Sequence, residues 1–193
     1  MAISELWQLI QRDPPGSHQL FAPADSKVIA QAERALGLQF PRSFQRFHKL
    51  CSGAILFKEE TLLGLGADCP EELQLVAATR RFREQGMPRY LLPFSPTPEG
   101  VDCFDCRGRL DEGEYPVVYW NEPEGASPPT HDSFDEWLFE LTEALREEPV
   151  DLSGLAPDGD DDDDDPDGDD PDGDEDDDED RAEDTNLAVR GNR

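Results

Sequence analysis

Cys103-Phe104-Asp105-Cys106 is the segment of this 193-residue chain that comes nearest to a chemical motif, because thiols at this spacing hold zinc or form redox couples. A zinc site needs two more ligands at suitable spacing, and Cys51 and Cys69 form no second pair. A redox couple belongs at the opening of a helix, whereas this segment ends a predicted strand before Arg107-Gly108. Packing at the strand end is the favoured reading. His48 and Cys51 stand three apart on a predicted helix and so are neighbours, as a thiol–imidazole pair would be. Nothing near them in sequence supplies the orienting group or oxyanion site that a nucleophile also needs. His18, in a Pro/Gly-bounded loop, and His131, beside a helix cap, suggest no catalysis either.

Two further matches dissolve on inspection. Asp163, Asp165, Asp167, Gly168 and Asp174 fit calcium-loop spacing, but flanking helices and the bidentate Glu are missing. Loose cation association is expected there. Gly64-Leu65-Gly66 lacks the third glycine and following helix of a dinucleotide site. No catalytic, cofactor or metal residue is assigned, and the chain reads as a binding protein.

The elements that must carry any site follow from periodicity. Ile3, Leu6, Trp7 and Ile10 predict a short amphipathic helix, ended by Pro14-Pro15-Gly16. A second helix, capped by Asp25 or Ser26, carries Val28, Ile29, Ala32, Ala35 and Leu36 and stops at Gly37. Pro41 suits the first position of a third, with Phe44, Phe47 and Leu50 inward and Ser52-Gly53 closing it. Ala54–Phe57 and Thr61–Leu65 predict strands around a turn at Lys58-Glu59-Glu60. Pro70-Glu71-Glu72 opens a helix with Leu73, Val76 and Ala77 inward, reaching about Glu84. Strands are expected at Tyr90–Phe94, Val101–Asp105 and Val117–Trp120, with loops at Arg107–Glu114 and Asn121–Pro129. Ser133 and Glu136 form a capping box ahead of an apolar stripe through Phe134, Trp137, Leu138, Leu141, Ala144 and Leu145.

Helices at both ends with hairpin-like strands between predict an α+β fold. A mostly antiparallel sheet would be packed by about four to five helices, in one domain over residues 1–156. Residues 157–193 are expected to be a disordered tail. From Asp158 to Asp184 there are 20 acidic residues and one Arg, a run that repels itself and has nothing apolar to bury. Residues 1–157 carry 26 acidic and 14 basic residues. Such a balance disfavours nucleic acid and anionic membranes and favours basic proteins as partners. The opening residues lack the features of a secretory signal, and no stretch approaches the roughly 18 apolar residues of a span. Reduced thiols and a cytoplasmic location are therefore expected.

The order of these signals resembles the SUKH superfamily, which includes fungal cell-wall assembly regulators and many bacterial proteins. The resemblance rests on Leu36-Gly37, Phe40-Pro41, Phe44 and Phe47, Ser52-Gly53-Ala54, and Leu62-Leu63-Gly64-Leu65. It continues through Leu91-Leu92-Pro93-Phe94, Gly100 to Asp105, Val117-Val118-Tyr119-Trp120 and Ser133 to Leu138. Phe40 replaces the usual Leu before Pro41, and Ser52 and Ala54 replace two residues of an Asn-Gly-Gly turn. The resemblance implies an α+β domain without enzymatic activity. Its signature residues would be Leu36, Gly37, Pro41, Phe44, Gly53, Gly64, Asp105, Trp120, Phe134 and Leu138, in structural roles. It also implies a protein that neutralises a basic toxin, often a nuclease. The alternative is a regulator or scaffold whose acidic tail is an interaction arm or a chaperone-like polyanion.

Overall fold

The computed structural model describes residues 2–108 and 113–147. The expected boundary at 156/157, the acidic run and the calcium-loop match lie outside the described residues. The chain order is α1 (Ala2–Arg12), β1 (Gln19–Leu20), α2 (Ser26–Leu36), α3 (Arg42–Leu50), β2 (Ala54–Leu56), β3 (Glu60–Leu62), then a 3-10 turn (Glu71–Leu73) and α4 (Leu75–Glu84). It continues with β4 (Leu91–Pro96), β5 (Val101–Asp105), β6 (Val117–Asn121), β7 (Gly125–Ala126) and α5 (Phe134–Glu147). The fold is α+β.

Helix limits follow local chemistry. Asp25 accepts a hydrogen bond from the Val28 N–H at 2.8 Å, and Gly37 closes α2 in the left-handed region at φ 69°. At α5, Ser133 Oγ accepts from the Glu136 N–H at 3.2 Å. The Glu136 carboxylate reaches back one residue further than a capping box requires, to the Asp132 N–H at 2.7 Å.

The strands form two antiparallel sheets instead of one, ordered β1-β2-β3 and β4-β5-β6-β7. Leu63 N–H still donates to the Phe94 carbonyl at 2.8 Å, but Gly64 then turns away to bridge Gln74. The pleat of the second sheet sorts its side chains by parity. Leu92, Phe94, Phe104 and Val117 face the main core with α2, α3 and α5. Leu91, Val101, Cys103, Val118 and Trp120 form a second cluster with Met87 on the opposite face.

Several side chains sit elsewhere than periodicity suggests. Leu50 is exposed, because Cys51 takes the inward place after Phe47. Trp7 is displaced outward in the same way by buried Leu6 and Leu9. Pro41 is the N-cap of α3, not its first helical residue, and Cys51 is its C-cap. Pro70 opens a 3-10 turn first, so α4 starts at Leu75 and buries Leu75, Ala78 and Thr79, with Leu73, Val76 and Ala77 half-buried. The β2–β3 reversal falls at Phe57 and Lys58, which take φ 53° and 64° without being glycine. His18 holds it: the Phe57 N–H donates to Nδ1 at 3.3 Å, and Nε2 meets buried Asp13 at 3.1 Å.

Candidate functional site

Three residues of spacing in an extended strand place two side chains on opposite faces. Cys103 accordingly lies in the second cluster, 3.9 Å from Met87 Sδ, while Cys106 packs against the main core. All four cysteines are free thiols. Burial pushes Cys51 and Cys106 up to about 12 and Cys69 to about 11, and raises Cys103 well above the usual value, so none is a ready thiolate. Among the described residues no group of three or more metal-binding side chains is assembled.

His48 and Cys51 do not form a dyad. The His48 ring is wholly buried between Phe40, Phe44 and Phe47, and its Nδ1–H donates to the Ser52 carbonyl at 2.6 Å. Desolvation lowers its pKa from 6.5 to about 3 despite that bond. Between pH 6.5 and 3 the unfolded chain therefore takes up a proton that the folded chain refuses, and stability falls as pH falls through that window. His48→Gln keeps a donor but does not titrate. Its urea midpoint should fall less than the wild type's between pH 7 and pH 4.5; parallel curves would refute the assignment.

The other residues on which the resemblance rests are placed within the fold as follows. Leu36, Pro41, Phe44, Phe134 and Leu138 are buried, as is Trp120 in the second cluster. Gly53 and Gly64 lie back to back, so close that a Cβ built on Gly53 would sit 2.5 Å from Gly64 Cα. Asp105 accepts two hydrogen bonds from Arg107 Nε, at 3.0 and 3.1 Å, and one from its Nη2 at 2.6 Å. These bonds hold Asp105 below the usual carboxylate range, and the guanidinium rests 4.3 Å over the Tyr90 ring.

Among the described residues, surface recesses lie on both sides of α5. The smaller, about 250 Å³, gathers Glu60, Asp102, His131, Trp137 and Glu140. Asp102 shares the Phe104 face of β5, and desolvation raises it to about 6 against a stabilising hydrogen bond from Trp137. His131 Nε2 meets Glu140 at 2.8 Å. The larger is a groove of about 530 Å³ walled by Ile3 and Trp7 of α1, Arg46 and Leu50 of α3, and Asp135 of α5. Arg46 and Asp135 pair across it at 2.9 Å.

Among the described residues three large apolar side chains stand out as exposed: Trp7 (38%), Leu50 (49%) and Phe139 (46%). Two of them wall this groove, and Phe139 lies one helical turn beyond Asp135 on the same stripe. Glu136, Glu140 and Glu143 are exposed around Phe139. Charge is also divided unevenly: residues 1–100 hold 11 acidic and 11 basic residues, whereas 101–147 hold 13 acidic and three basic. The net charge up to residue 147 therefore comes from the part of the chain that ends in α5. Helical periodicity places Trp7 and Leu50 in the core and leaves Phe139 out of it. Phe139 carried a usable signal, since it falls off the Phe134, Trp137, Leu138, Leu141 stripe.

No curated protein matches the chain. The family model SUKH_5, described as SMI1-KNR4 cell-wall, matches residues 3–143. That span runs from within α1 to within α5, and the chain belongs to this family.

Proposed function

We propose that this is a non-enzymatic, cytoplasmic protein-binding module that neutralises a basic toxin through its acidic segment 101–147. The observation that carries the reading is the segregation of charge: ten net negative charges reside in 101–147 and none in 1–100. A nucleic-acid-cleaving toxin presents cationic groups to hold phosphates, and such a surface is complementary to this one. Family membership supports a protein-binding role, since domains of this kind generally interact with proteins. The thiols and His48 described above are engaged in packing, which leaves them no evident chemistry. No helix among the described residues is long and apolar enough to cross a membrane.

Capture from the native cell with the full chain should return a basic protein whose toxicity the chain suppresses on co-expression. No specific partner together with no protection would end this reading. Glu140→Lys with Glu143→Lys should slow association about tenfold at low salt while changing dissociation less, as expected for steering charges. Unchanged association kinetics would move the contact away from α5. Deleting residues 157–193 should leave most of the affinity, because exposed charges are screened over about 8 Å at physiological salt.

The family description also favours a second reading, a regulatory or scaffold protein whose acidic tail is an interaction arm. Partner capture without toxin protection, abolished by tail deletion, would select it.

A further inference from the structure

We propose that the recess of Glu60, Asp102, His131, Trp137 and Glu140 is a proton-operated latch: a proton taken up by Asp102 fastens α5 to the sheet, and losing it loosens that helix. The device goes beyond the binding role and does not depend on what the domain recognises.

The geometry sets like charges against one another. Three carboxyl groups from three elements border one recess: Glu60 of β3, Asp102 of β5 and Glu140 of α5. Among the described residues no Lys or Arg lines it. The basic group that does, His131, already meets Glu140 at 2.8 Å, and its Nδ1 is turned to Thr130 at 3.0 Å. The strands beside β5 offer Asp102 no cation either, since its register partners are Ser95 on β4 and Tyr119 on β6. The Tyr119 hydroxyl shares a hydrogen bond with Thr97 at 3.1 Å. Cys103, next along the strand, faces the opposite cluster.

Asp102 is also where the helix is tied down. Trp137 of α5 donates a hydrogen bond to it, and the indole packs edge-on against Phe94 at 4.9 Å. Neutral or ionised, Asp102 keeps an oxygen for the indole N–H. Ionised, it faces Glu60 in a partly desolvated space and repels it. A proton on Asp102 removes that repulsion and leaves the indole bond in place.

Burial raises Asp102 from 3.8 to about 6, opposed by the Trp137 hydrogen bond and by His131, and reinforced by Glu60. Glu60 is raised too, by burial and by Glu59 beside it. The folded chain thus holds a proton that the unfolded chain has lost. The associated stability is fully present below 3.8 and disappears as pH rises through about 6. That sign is opposite to the one at His48, so the latch is read by comparing variants at one pH.

The test follows the isotope-labelled full chain by NMR between pH 4 and pH 8. The Asp102 carboxyl should titrate near 6, whereas exposed aspartates titrate near about 4. The Trp137 indole resonance should move with the same midpoint. Glu60→Gln, at a half-buried position, should lower the Asp102 midpoint by about half a unit or more, because a like charge is gone. Hydrogen exchange at the amides from Trp137 to Leu141 reads the hold on the helix. A full pKa unit is worth about a factor of ten, of which local opening releases part. Exchange corrected for intrinsic rates should therefore be about threefold or more faster in wild type than in Asp102→Asn at pH 7.5, and equal at pH 4.5.

An Asp102 midpoint near 4, or one that Glu60→Gln leaves unmoved, would overturn the proposal. Equal α5 exchange in wild type and Asp102→Asn at pH 7.5 would overturn it as well. Should Asp102→Asn not fold, Glu60→Gln takes its place in the exchange comparison and must slow α5 exchange at pH 7.5. Toxin protection plays no part in these measurements, so the proposed function stands or falls separately.

Discussion

Phe44→Ala is expected to lower unfolding free energy by about 3–5 kcal/mol, the usual cost of truncating a buried aromatic residue. Phe44 is fully buried, and its ring centroid lies 4.3 Å from His48, 5.0 Å from Phe104 and 5.2 Å from Phe134. Phe40, Phe47 and Phe94 stand within about 6 Å on the remaining sides. One side chain thus joins α3, β4, β5 and α5, and a cavity there cannot close by moving a single element. A domain of this size has about 5–15 kcal/mol in total, so the variant should melt far below the wild type. Urea unfolding measures the loss, with Phe139→Ala as the surface comparison at about 0.5 kcal/mol or less. A Phe44→Ala loss under about 1.5 kcal/mol would contradict the packing described here.

Gly53→Ala should be nearly as damaging for a different reason. The added methyl would meet Gly64 Cα at 2.5 Å and both Gly64 N and the Leu62 carbonyl at 2.9 Å. All three are backbone atoms, so no rotamer change relieves the overlap. The start of β2 must separate from the end of β3, weakening the Ala54–Leu62 pairing and the bond from the Phe21 N–H to the Gly53 carbonyl. We expect a loss of about 3 kcal/mol or more, at or above the upper end for overpacking. Gly64→Ala should cost less, because its closest obstacle is the Cys69 Sγ at 2.7 Å, the end of a side chain. Gly108→Ala meets nothing within 4 Å and should be near neutral. A denaturant series in which Gly53→Ala and Gly108→Ala coincide would refute the close approach.

The elements that were legible in the sequence are those whose signals agree at two levels. Strand β5 falls on Val101–Asp105 because a turn at Thr97–Gly100 and an alternating run coincide. Helix α2 has both its Asp25 cap and its Gly37 stop, and α5 has its Ser133 cap before a continuous stripe. Elements resting on contacts from far along the chain were illegible. Strands β1 and β7 are two residues each, too short for any period. The Phe57–Lys58 reversal depends on His18, nearly forty residues earlier, and carries no Gly or Asn to announce it. The phase of α4 is set by the turn at Glu71–Leu73 and not by its own pattern.

The exposed apolar residues were harder to read than the frame for a related reason. Periodicity reports apolar residues that face inward, so Leu50, at the end of an apolar α3 stripe, looked like core. Only the competing claim of Cys51 shows otherwise. The acidity of the whole chain was plain in its composition, yet the tail concealed how unevenly the folded part is charged.

Helix α5 has a buried side and an exposed one. Phe134, Trp137 and Leu138 are buried in the interior, whereas Phe139, Glu140 and Glu143 are exposed. A lineage can therefore rewrite the outer side, one codon at a time, with small penalty to folding. A protein-binding domain would gain from that freedom, since new specificities could be tried without first rebuilding the scaffold.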